Sequence, residues 1–401
     1  MSSTTRQFRW IMITLSAAAL VSVTFGIRQV FGLFLVPISA ELDGGLQLFS
    51  LAIAVQNLIW GLSSPLFGAA ADKFGAWRVA AFGVLIYAAG LLCMAFFVTE
   101  TGMFLGQIMI GMGLGSAGIS IAVGAVARAA PPEKRSLAMG LVTSFGSFGQ
   151  FALVPVAQIM MNQHGWQFAI VILSVIVASM VAVTLGMRVP AGGGRPLEGV
   201  VQTAGSALRQ AVSSRDYILL TTGFFVCGLQ LVFITTHLPT YLQDSGLTAD
   251  IASWSLALIG LFNIIGAFIC GWLGGFMSKK KTLAIVYLLR GLIIAAFISL
   301  PPSPGLALFF GASMGLLWLG TIPLTSGLIV AFFGPRHLSM LYGLVFLSHQ
   351  IGSFVGAWLG GVWYDMFGNY EAMWWLNAGA GLFAFAVNWA IREPTPAPLP
   401  A

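Results

Sequence analysis

Two arginines interrupt long apolar stretches of the sequence and are the first candidates for chemistry. Arg28 and Arg290 each lie well inside such a stretch. An arginine at membrane depth costs at least ~2.5 kcal/mol unless something compensates its charge. All twelve acidic residues lie in loops or at the ends of apolar stretches. We therefore expect helix carbonyls, water, polar side chains or an anionic ligand to compensate the two cations.

Histidines and neutral polar residues also fall inside apolar stretches. His349 lies in the triplet Ser348-His349-Gln350, and an imidazole changes its charge in the physiological pH range. His349 is therefore a candidate proton acceptor, although a lone histidine can equally be a hydrogen-bonded strut between helices. His237 is a weaker candidate of the same kind. The remaining polar candidates are Gln56, Asn57, Asn263, Tyr342 and Gln350. They could orient a carboxylate, or they could join helices at ~0.6 to 2 kcal/mol each.

Several other kinds of chemistry are not supported by the sequence. The run from Gly113 to Gly118 fits G-x-G-x-x-G, but it is embedded in an apolar stretch with no strand before it, which favours helix packing over nucleotide binding. There is no phosphate-binding G-x-x-x-x-G-K-[ST] motif. The three cysteines lie in apolar stretches, where a thiol behaves as a small hydrophobe. We expect no enzyme, no metal, no disulfide and no cofactor.

The elements that must position these residues are membrane-spanning helices. Of 401 residues, 58% are hydrophobic and 7% are charged, and the mean hydropathy is +0.93, which is far too apolar for a soluble protein. Apolar runs of roughly 20 residues can each cross a bilayer. Twelve spans are predicted, near 10–39, 46–71, 79–97, 102–129, 137–160, 166–187, 217–243, 250–277, 282–300, 305–333, 338–365 and 371–391. No separate soluble domain is expected, which argues against a sensor or scaffold.

The basic residues predict the orientation of the spans. Counted from a cytoplasmic N-terminus, sixteen of the eighteen lysines and arginines fall in segments on the inner side, and the outer loops contain none. Cationic loops are retained in the cytoplasm. We therefore expect a multi-pass protein of the cell inner membrane with both termini cytoplasmic. The net charge of +6 needs no nucleic-acid partner.

An internal repeat divides the chain. The first and seventh spans share G-x-x-x-V-F-x-x-x-x-x-P, beginning at Gly26 and at Gly228. The fifth and eleventh share G-L-V-x-x-x-x-x-x-G, beginning at Gly140 and at Gly343. Such repeats are typical of duplicated transporter halves. We predict an N-terminal six-helix bundle at 1–187, a cytoplasmic linker at 188–216 with a short amphipathic helix within 197–212, and a C-terminal bundle at 217–401.

The loop after the second span carries a family resemblance. It reads Gly68-Ala-Ala-Ala-Asp72-Lys73-Phe-Gly75-Ala-Trp-Arg78 and resembles the G-x-x-x-D-[RK]-x-G-x-[RK]-[RK] signature of the major facilitator superfamily. The resemblance covers nearly the whole chain. It implies an all-α fold of two pseudo-symmetric six-helix bundles, in which Asp72, Lys73 and Arg78 serve gating.

Within that superfamily the chain looks like the monocarboxylate and oxalate/formate porter group. The run Lys134-Arg135-Ser-Leu-Ala-Met-Gly140 is similar to the opening of that group's fifth span. Arg28 matches the position of a first-span lysine implicated in substrate and proton binding, and His349 lies about where the exchangers place a lysine. The group's eighth-span arginine would fall near Ala267 and is absent.

These resemblances imply further roles. The first and seventh spans would line the central path, which makes Gln230, the repeat mate of Arg28, a candidate ligand. The ninth span would be peripheral, so we expect Arg290 to snorkel or to bind helix ends. The function implied is secondary transport of a small organic anion, most simply a monocarboxylate, by alternating access. Protons and membrane lipids are expected partners of a monomer. The alternative is a drug or metabolite exporter, which would usually carry a membrane carboxylate.

Overall fold

The fold is all-helical in the part of the chain that the structure describes. The computed structural model describes residues 3–42, 44–188, 204–334 and 338–394. The α-helices, in chain order, are α1 Ser3–Ser39, α2 Gly45–Phe74, α3 Ala76–Phe96, α4 Glu100–Ala117, α5 Ile119–Ala129, α6 Pro132–His164, α7 Trp166–Thr184, α8 Ala204–Val212, α9 Arg215–Asp244, α10 Ala249–Phe276, α11 Lys279–Ser299, α12 Pro304–Leu316, α13 Thr321–Phe333, α14 Leu338–Phe367 and α15 Glu371–Trp389. One 3-10 turn, Leu185–Met187, follows α7.

Within the described residues, eleven helices are long and apolar enough to cross a membrane. The helix predicted as the twelfth, α15, is present over 19 residues but is less apolar. It carries two buried asparagines, Asn377 and Asn388, whose side-chain amides each donate to a carbonyl one turn earlier in the same helix. Those residues lower its hydropathy while remaining compatible with burial against neighbouring helices. The predicted fold class is confirmed.

Two of the spans are broken in corresponding places. The predicted span 102–129 divides into α4 and α5 at Gly118, where a Cβ would collide with the Leu114 carbonyl. The predicted span 305–333 divides into α12 and α13. There, Leu317 and Trp318 make short turn bonds to Met314 and Gly315, which tightens the last turn as in a 3-10 helix. Each bundle therefore contains one discontinuous helix.

The two bundles meet mainly at the end predicted to face outward, which we call the outer end. There α2 begins beside the end of α14, and α10 begins beside the end of α6. Toward the opposite, inner end, three of these four helices carry glycines with open space beside them. A Cβ added at Gly68 of α2, Gly140 of α6 or Gly343 of α14 would meet nothing within 4 Å. The structure thus joins the two bundles at the outer end by hydrogen bonds, and it leaves space beside these three glycines toward the inner end.

The linker is described only in part. Residues 189–203 lie outside the described residues, so the predicted amphipathic helix is seen only as α8. Ala207 and Ala211 of α8 are buried, whereas Leu208 and Val212 are exposed. This helix therefore has one face packed on the protein and one apolar face that is open.

Candidate functional site

The candidate site is a small cavity between α1, α2 and α9, with Arg28 at its edge. Its lining comprises Arg28, Phe31, Gly32, Ile53, Gln56, Asn57, Val232, Thr235 and Thr236. Arg28 donates from Nη2 to Asn57 Oδ1 at 2.9 Å. The amide of Asn57 is itself oriented by its bond to the Ile53 carbonyl, 2.8 Å, one turn earlier. The α2 helix thereby fixes the direction of the guanidinium.

Several polar atoms around this cavity are unpaired. Within the described residues, Arg28 Nε and both polar atoms of the Gln56 amide have no hydrogen-bond partner although they are buried. Buried polar groups in native proteins are nearly always paired, with protein, water or ligand. A cation with a free donor beside a free amide is an arrangement that a carboxylate can satisfy, since Arg donates to it in a charge-assisted, often bidentate, manner.

The cavity is nearly closed in this conformation. Its volume is about 10 Å³, which is room for about one water molecule. Gly32 of α1 lies against the backbone of α9 so closely that a Cβ would collide with the Thr235 carbonyl. A glycine is required here because the two helices touch backbone to backbone. A ligand larger than a water molecule would therefore need the helices around the cavity to move apart.

A series of aromatic contacts, which we call the aromatic contact, runs from Arg28 through Trp60 and Phe346 to His349 and crosses from one bundle to the other. Trp60 lies under the Arg28 guanidinium, 5.1 Å from its carbon to the ring centroid. Trp60 in turn meets Phe346 of α14 edge-on at 5.4 Å, and Phe346 stacks on His349 at 5.8 Å. Trp60 and Phe346 lie on the inner side of Arg28, so they separate the cavity from the inner end.

His349 lies in a cluster of its own rather than in the cavity. Its Nδ1 lies 3.3 Å from Gln350 Oε1 and 3.4 Å from Ser353 Oγ. Phe224 of α9 covers the ring at 5.1 Å and also contacts Tyr342. The predicted residues His349, Gln350 and Tyr342 are therefore close to one another on α14, and the aromatic contact separates them from Arg28.

Two of the predicted ligands point elsewhere. Gln230, the repeat mate of Arg28, donates to the Asn377 carbonyl of α15 at 2.9 Å and is fully buried. Asn263 donates to Ser147 Oγ of α6 at 2.8 Å and accepts from the Leu319 amide at 2.9 Å. The structure therefore does not bring either side chain to the cavity. Asn263 instead joins α10 to the other bundle.

Arg290 is held by the break between α12 and α13. Its side chain is fully buried. Its Nε donates to the Leu317 carbonyl at 3.0 Å, its Nη2 to the carbonyls of Leu317 and Trp318, and its Nη1 to Cys227 Sγ at 3.3 Å. Of the two expected roles, snorkelling or binding a helix end, the structure shows the second. The C-terminal end of α12 offers the partial negative charge that a cation needs there.

His237 behaves as a strut. Its two ring nitrogens lie 3.1 Å from Tyr370 Oη and 2.8 Å from the Ala357 carbonyl. Because both nitrogens are engaged and the ring is fully buried, His237 is committed to joining α9, α14 and the loop before α15.

The outer end is closed by two contacts that the internal repeat relates. Asp365 at the end of α14 accepts from the backbone amides of Leu46 and Gln47, at 3.1 and 2.7 Å, at the start of α2. Asn162 at the end of α6 donates to Asp250 Oδ1, 3.2 Å, at the start of α10. Asn162 and Asp365 are 203 residues apart, and so are Gln47 and Asp250. We call these two contacts the outer latches.

The loop motif from Gly68 to Arg78, at the inner ends of α2 and α3, is described only in part. The side chain of Asp72 lies outside the described residues. Lys73 sits over the Phe74 ring, 5.2 Å from its centroid. Arg78 donates to the Phe74 carbonyl at 3.4 Å and lies 5.3 Å from the Trp77 ring. Among the described side chains, Lys73 and Arg78 contact Phe74 and Trp77, which lie next to them in the sequence.

Sequence reasoning missed four residues that matter. Thr235 and Thr236 line the cavity, and the polar triplet Thr235-Thr236-His237 in an apolar span was the available signal. Trp60 and Cys227 gave no such signal. A tryptophan and a cysteine in a span are ordinary apolar residues until the fold shows which arginine each one touches.

Comparison with known proteins identifies the class. The model of the family described as Major Facilitator Superfamily matches residues 15–322 and 243–401. Monocarboxylate transporter 13 of Bos taurus is 26% identical over 386 residues, covering 93% of this chain and 87% of that protein. The oxalate:formate antiporter of Oxalobacter formigenes is 22% identical over 388 residues, covering 94% and 90%.

Two further similarities also cover most of the chain. An uncharacterized MFS-type transporter, YcxA, of Bacillus subtilis (strain 168) is 24% identical over 362 residues, covering 86% of this chain and 85% of that protein. The crystal structure of the E. coli fucose:proton symporter FucP (N162A) superposes with a TM-score of 0.62 at 17% identity, covering 96% of this chain and 100% of that chain. This structural similarity concerns the fold alone.

Proposed function

The chain belongs to the Major Facilitator Superfamily, and on this basis we propose that it carries small organic anions, monocarboxylates foremost, across the cytoplasmic membrane by alternating access. The observation that supports this most is the unpaired Arg28 Nε beside the unpaired Gln56 amide. A carboxylate placed there would receive charge-assisted hydrogen bonds that replace part of its lost hydration.

The composition of the cavity favours a monocarboxylate. Arg28 is the cation in its lining, while Phe31, Ile53 and Val232 supply apolar surface for a short carbon chain. Thr235, whose hydroxyl donates to the Val232 carbonyl, could still accept from a hydroxyl group on that chain, and Thr236 could bond a hydroxyl or keto group. The other membrane-depth arginine, Arg290, is already bonded to two carbonyls and a thiol. A second carboxylate would therefore find no free guanidinium in this conformation.

The contacts on the outer and inner sides of the cavity suggest how a transport cycle would proceed. With the outer latches closed, substrate bound at Arg28 would leave toward the cytoplasm once Trp60 and Phe346 part. Opening the outer end requires breaking the bonds of Asp365 and Asn162 and separating α1 from α9 at Gly32. Bonds between bundles at one end are then replaced by contacts at the other, as alternating access requires.

Proton coupling is a second part of the proposal. We assign the proton to His349, because both ring nitrogens of His237 are committed to Tyr370 and Ala357. The Nδ1 of His349 lies 3.3 Å from Gln350 Oε1, and its ring lies between Phe224 and Phe346. The aromatic contact through Trp60 connects its position to that of Arg28. Protonation of His349 would therefore be sensed at the cavity through packing, not through a shared hydrogen bond.

Location and partners belong to the same proposal. We place the protein in the cell inner membrane as a monomer with both termini in the cytoplasm, with 1–187 and 217–401 as its two bundles and 188–216 as the linker. The alternative, a drug or metabolite exporter, is less favoured, because the lining of the described cavity contains an arginine and no carboxylate.

The test is counterflow in proteoliposomes. Purified protein is reconstituted, the vesicles are loaded with unlabelled lactate, pyruvate, acetate or oxalate, and entry of trace labelled lactate is measured. Monocarboxylates should drive lactate entry more strongly than oxalate. Entry driven by none of these anions, but by an apolar amine or drug, would contradict the proposal and favour the exporter.

A further inference from the structure

A second groove lies away from the Arg28 cavity, beside the linker helix α8. Its volume is about 460 Å³. It runs between α9 and α14 at their inner ends, where α8 lies next to it. Its lining includes Val212, Ile218, Thr222, Phe225, Leu344 and Ser348.

The groove presents apolar surface. Val212 is 52% exposed and Ile218 is 50% exposed. The hydroxyls in the lining are already engaged, because Thr221 and Thr222 donate to carbonyls one turn earlier and Ser348 donates to the Thr221 carbonyl. A sugar or carboxylate would therefore find few free polar partners. An alkyl chain, in contrast, could pack along this apolar surface without leaving a polar group unpaired.

Two hydrogen bonds fix the α9 and α14 walls of the groove relative to each other. Tyr217 of α9 donates from its hydroxyl to the Leu341 carbonyl of α14 at 2.8 Å. The Ser348 bond to Thr221, 3.1 Å, makes a second link between the same helices. Because both links join α9 to α14, the groove exists before anything binds in it.

The mouth of the groove is basic. Arg209 lies on α8, three residues before Val212, and Arg215 begins α9, three residues before Ile218; both side chains are exposed. The nearest acid in sequence, Asp216, already accepts from the Arg392 amide at 2.9 Å. Exposed Leu208 and Val212 give α8 an apolar face next to these cations, which is typical of a helix lying in the membrane interface.

We propose that this groove is a binding site for an anionic phospholipid of the inner leaflet. One acyl chain would lie along Ile218, Thr222 and Phe225, and the phosphate would meet Arg209 and Arg215. Each basic residue near an anionic membrane surface strengthens the binding of acidic lipid about fivefold. The site also places the lipid at the joint between the linker helix and α9. This inference does not depend on which substrate is carried.

The experiment uses full-length protein extracted from vesicles of equimolar phosphatidylglycerol and phosphatidylcholine with identical chains. Native mass spectrometry then counts the lipids retained by each protein molecule. Wild type should retain phosphatidylglycerol in preference to phosphatidylcholine. Arg209→Gln with Arg215→Gln should reduce that preference at least fivefold, and the matched control Lys281→Gln, an exposed cation at the inner end of α11, should leave it unchanged.

A second variant tests the groove itself. Thr222→Trp fills the space between α9 and α14 without altering any charge, so it should abolish retention of the site's lipid of either kind. Equal phosphatidylglycerol preference in wild type and the double arginine variant would overturn the proposal. So would unchanged lipid retention in Thr222→Trp, particularly if that variant instead weakened lactate counterflow, since the groove would then belong to the substrate path.

Discussion

The outer latch at Asp365 offers a sharp test of the conformational account. Asp365 uses one carboxylate oxygen for the Leu46 amide and the other for the Gln47 amide. In Asp365→Asn one oxygen becomes an NH₂ group, so one bond is lost and two donors face each other. Hydrogen bonds to charged groups contribute ~1.5 to 3 kcal/mol when buried.

We expect the loss of this hydrogen bond to cost less free energy than that, because Asp365 is exposed at the end of α14. Exposed charge interactions are weakened by solvent, so we expect ~1 kcal/mol, which is about a fivefold rise in the outward-open population. The repeat-related latch at Asn162 and Asp250 remains intact in this variant. It should keep the outer end from opening completely.

The assay measures access to the cavity from outside. Thr235→Cys is placed in a variant whose native cysteines are replaced by serine, and the rate of reaction with a small membrane-impermeant thiol reagent is measured in intact cells. Asp365→Asn should raise that rate about fivefold. Glu100→Gln is the matched control, since Glu100 is an exposed acid in the first turn of α4. An unchanged rate in Asp365→Asn, or an equal rise in Glu100→Gln, would refute the latch.

Three further predictions concern other parts of the molecule. Arg290→Leu leaves the Leu317 and Trp318 carbonyls unpaired, which costs ~1 to 3 kcal/mol of folding free energy each. The variant should therefore unfold at a lower temperature in detergent, while lactate counterflow by the folded protein keeps its KM. An unchanged unfolding temperature would contradict this structural role. His349→Gln should flatten the rise of lactate uptake as external pH falls, and a wild-type pH profile would remove His349 from coupling. A cysteine at Asp244 should react with impermeant reagents from outside and one at Lys280 only from inside; outside reaction at Lys280 would overturn the topology.

Much of the architecture was predictable because hydropathy and charge act locally. The spans, the repeat and the place of Arg28 all follow from residue types along one dimension. The internal repeat also relates positions outside its two shared motifs, since the same 203-residue offset separates Asn162 from Asp365 and Gln47 from Asp250. Those pairs share no residue type, so pattern matching could not find them. Geometry alone shows that each closes the outer end.

The site was predictable only in part, because the direction of a side chain depends on the packing of neighbouring helices. Gln230 occupies the repeat position of Arg28 but turns toward Asn377. Arg290 was placed on a peripheral span, yet the broken helix beside it supplies carbonyls that draw the guanidinium inward. In both cases the decisive partner is a backbone carbonyl, which no residue type reveals.

The central claim is that Arg28 supplies the positive charge that binds the carboxylate, and counterflow in an Arg28 series tests it most directly. Counterflow needs no coupling ion, so it reports the site independently of His349. Arg28→Gln removes the charge and should reduce lactate counterflow at least a hundredfold, since hydrogen bonds to a charged group contribute ~1.5 to 3 kcal/mol each. Arg28→Lys should retain part of it, because the charge remains while the planar fork is lost. Lactate counterflow at the wild-type rate in well-folded Arg28→Gln would contradict the account.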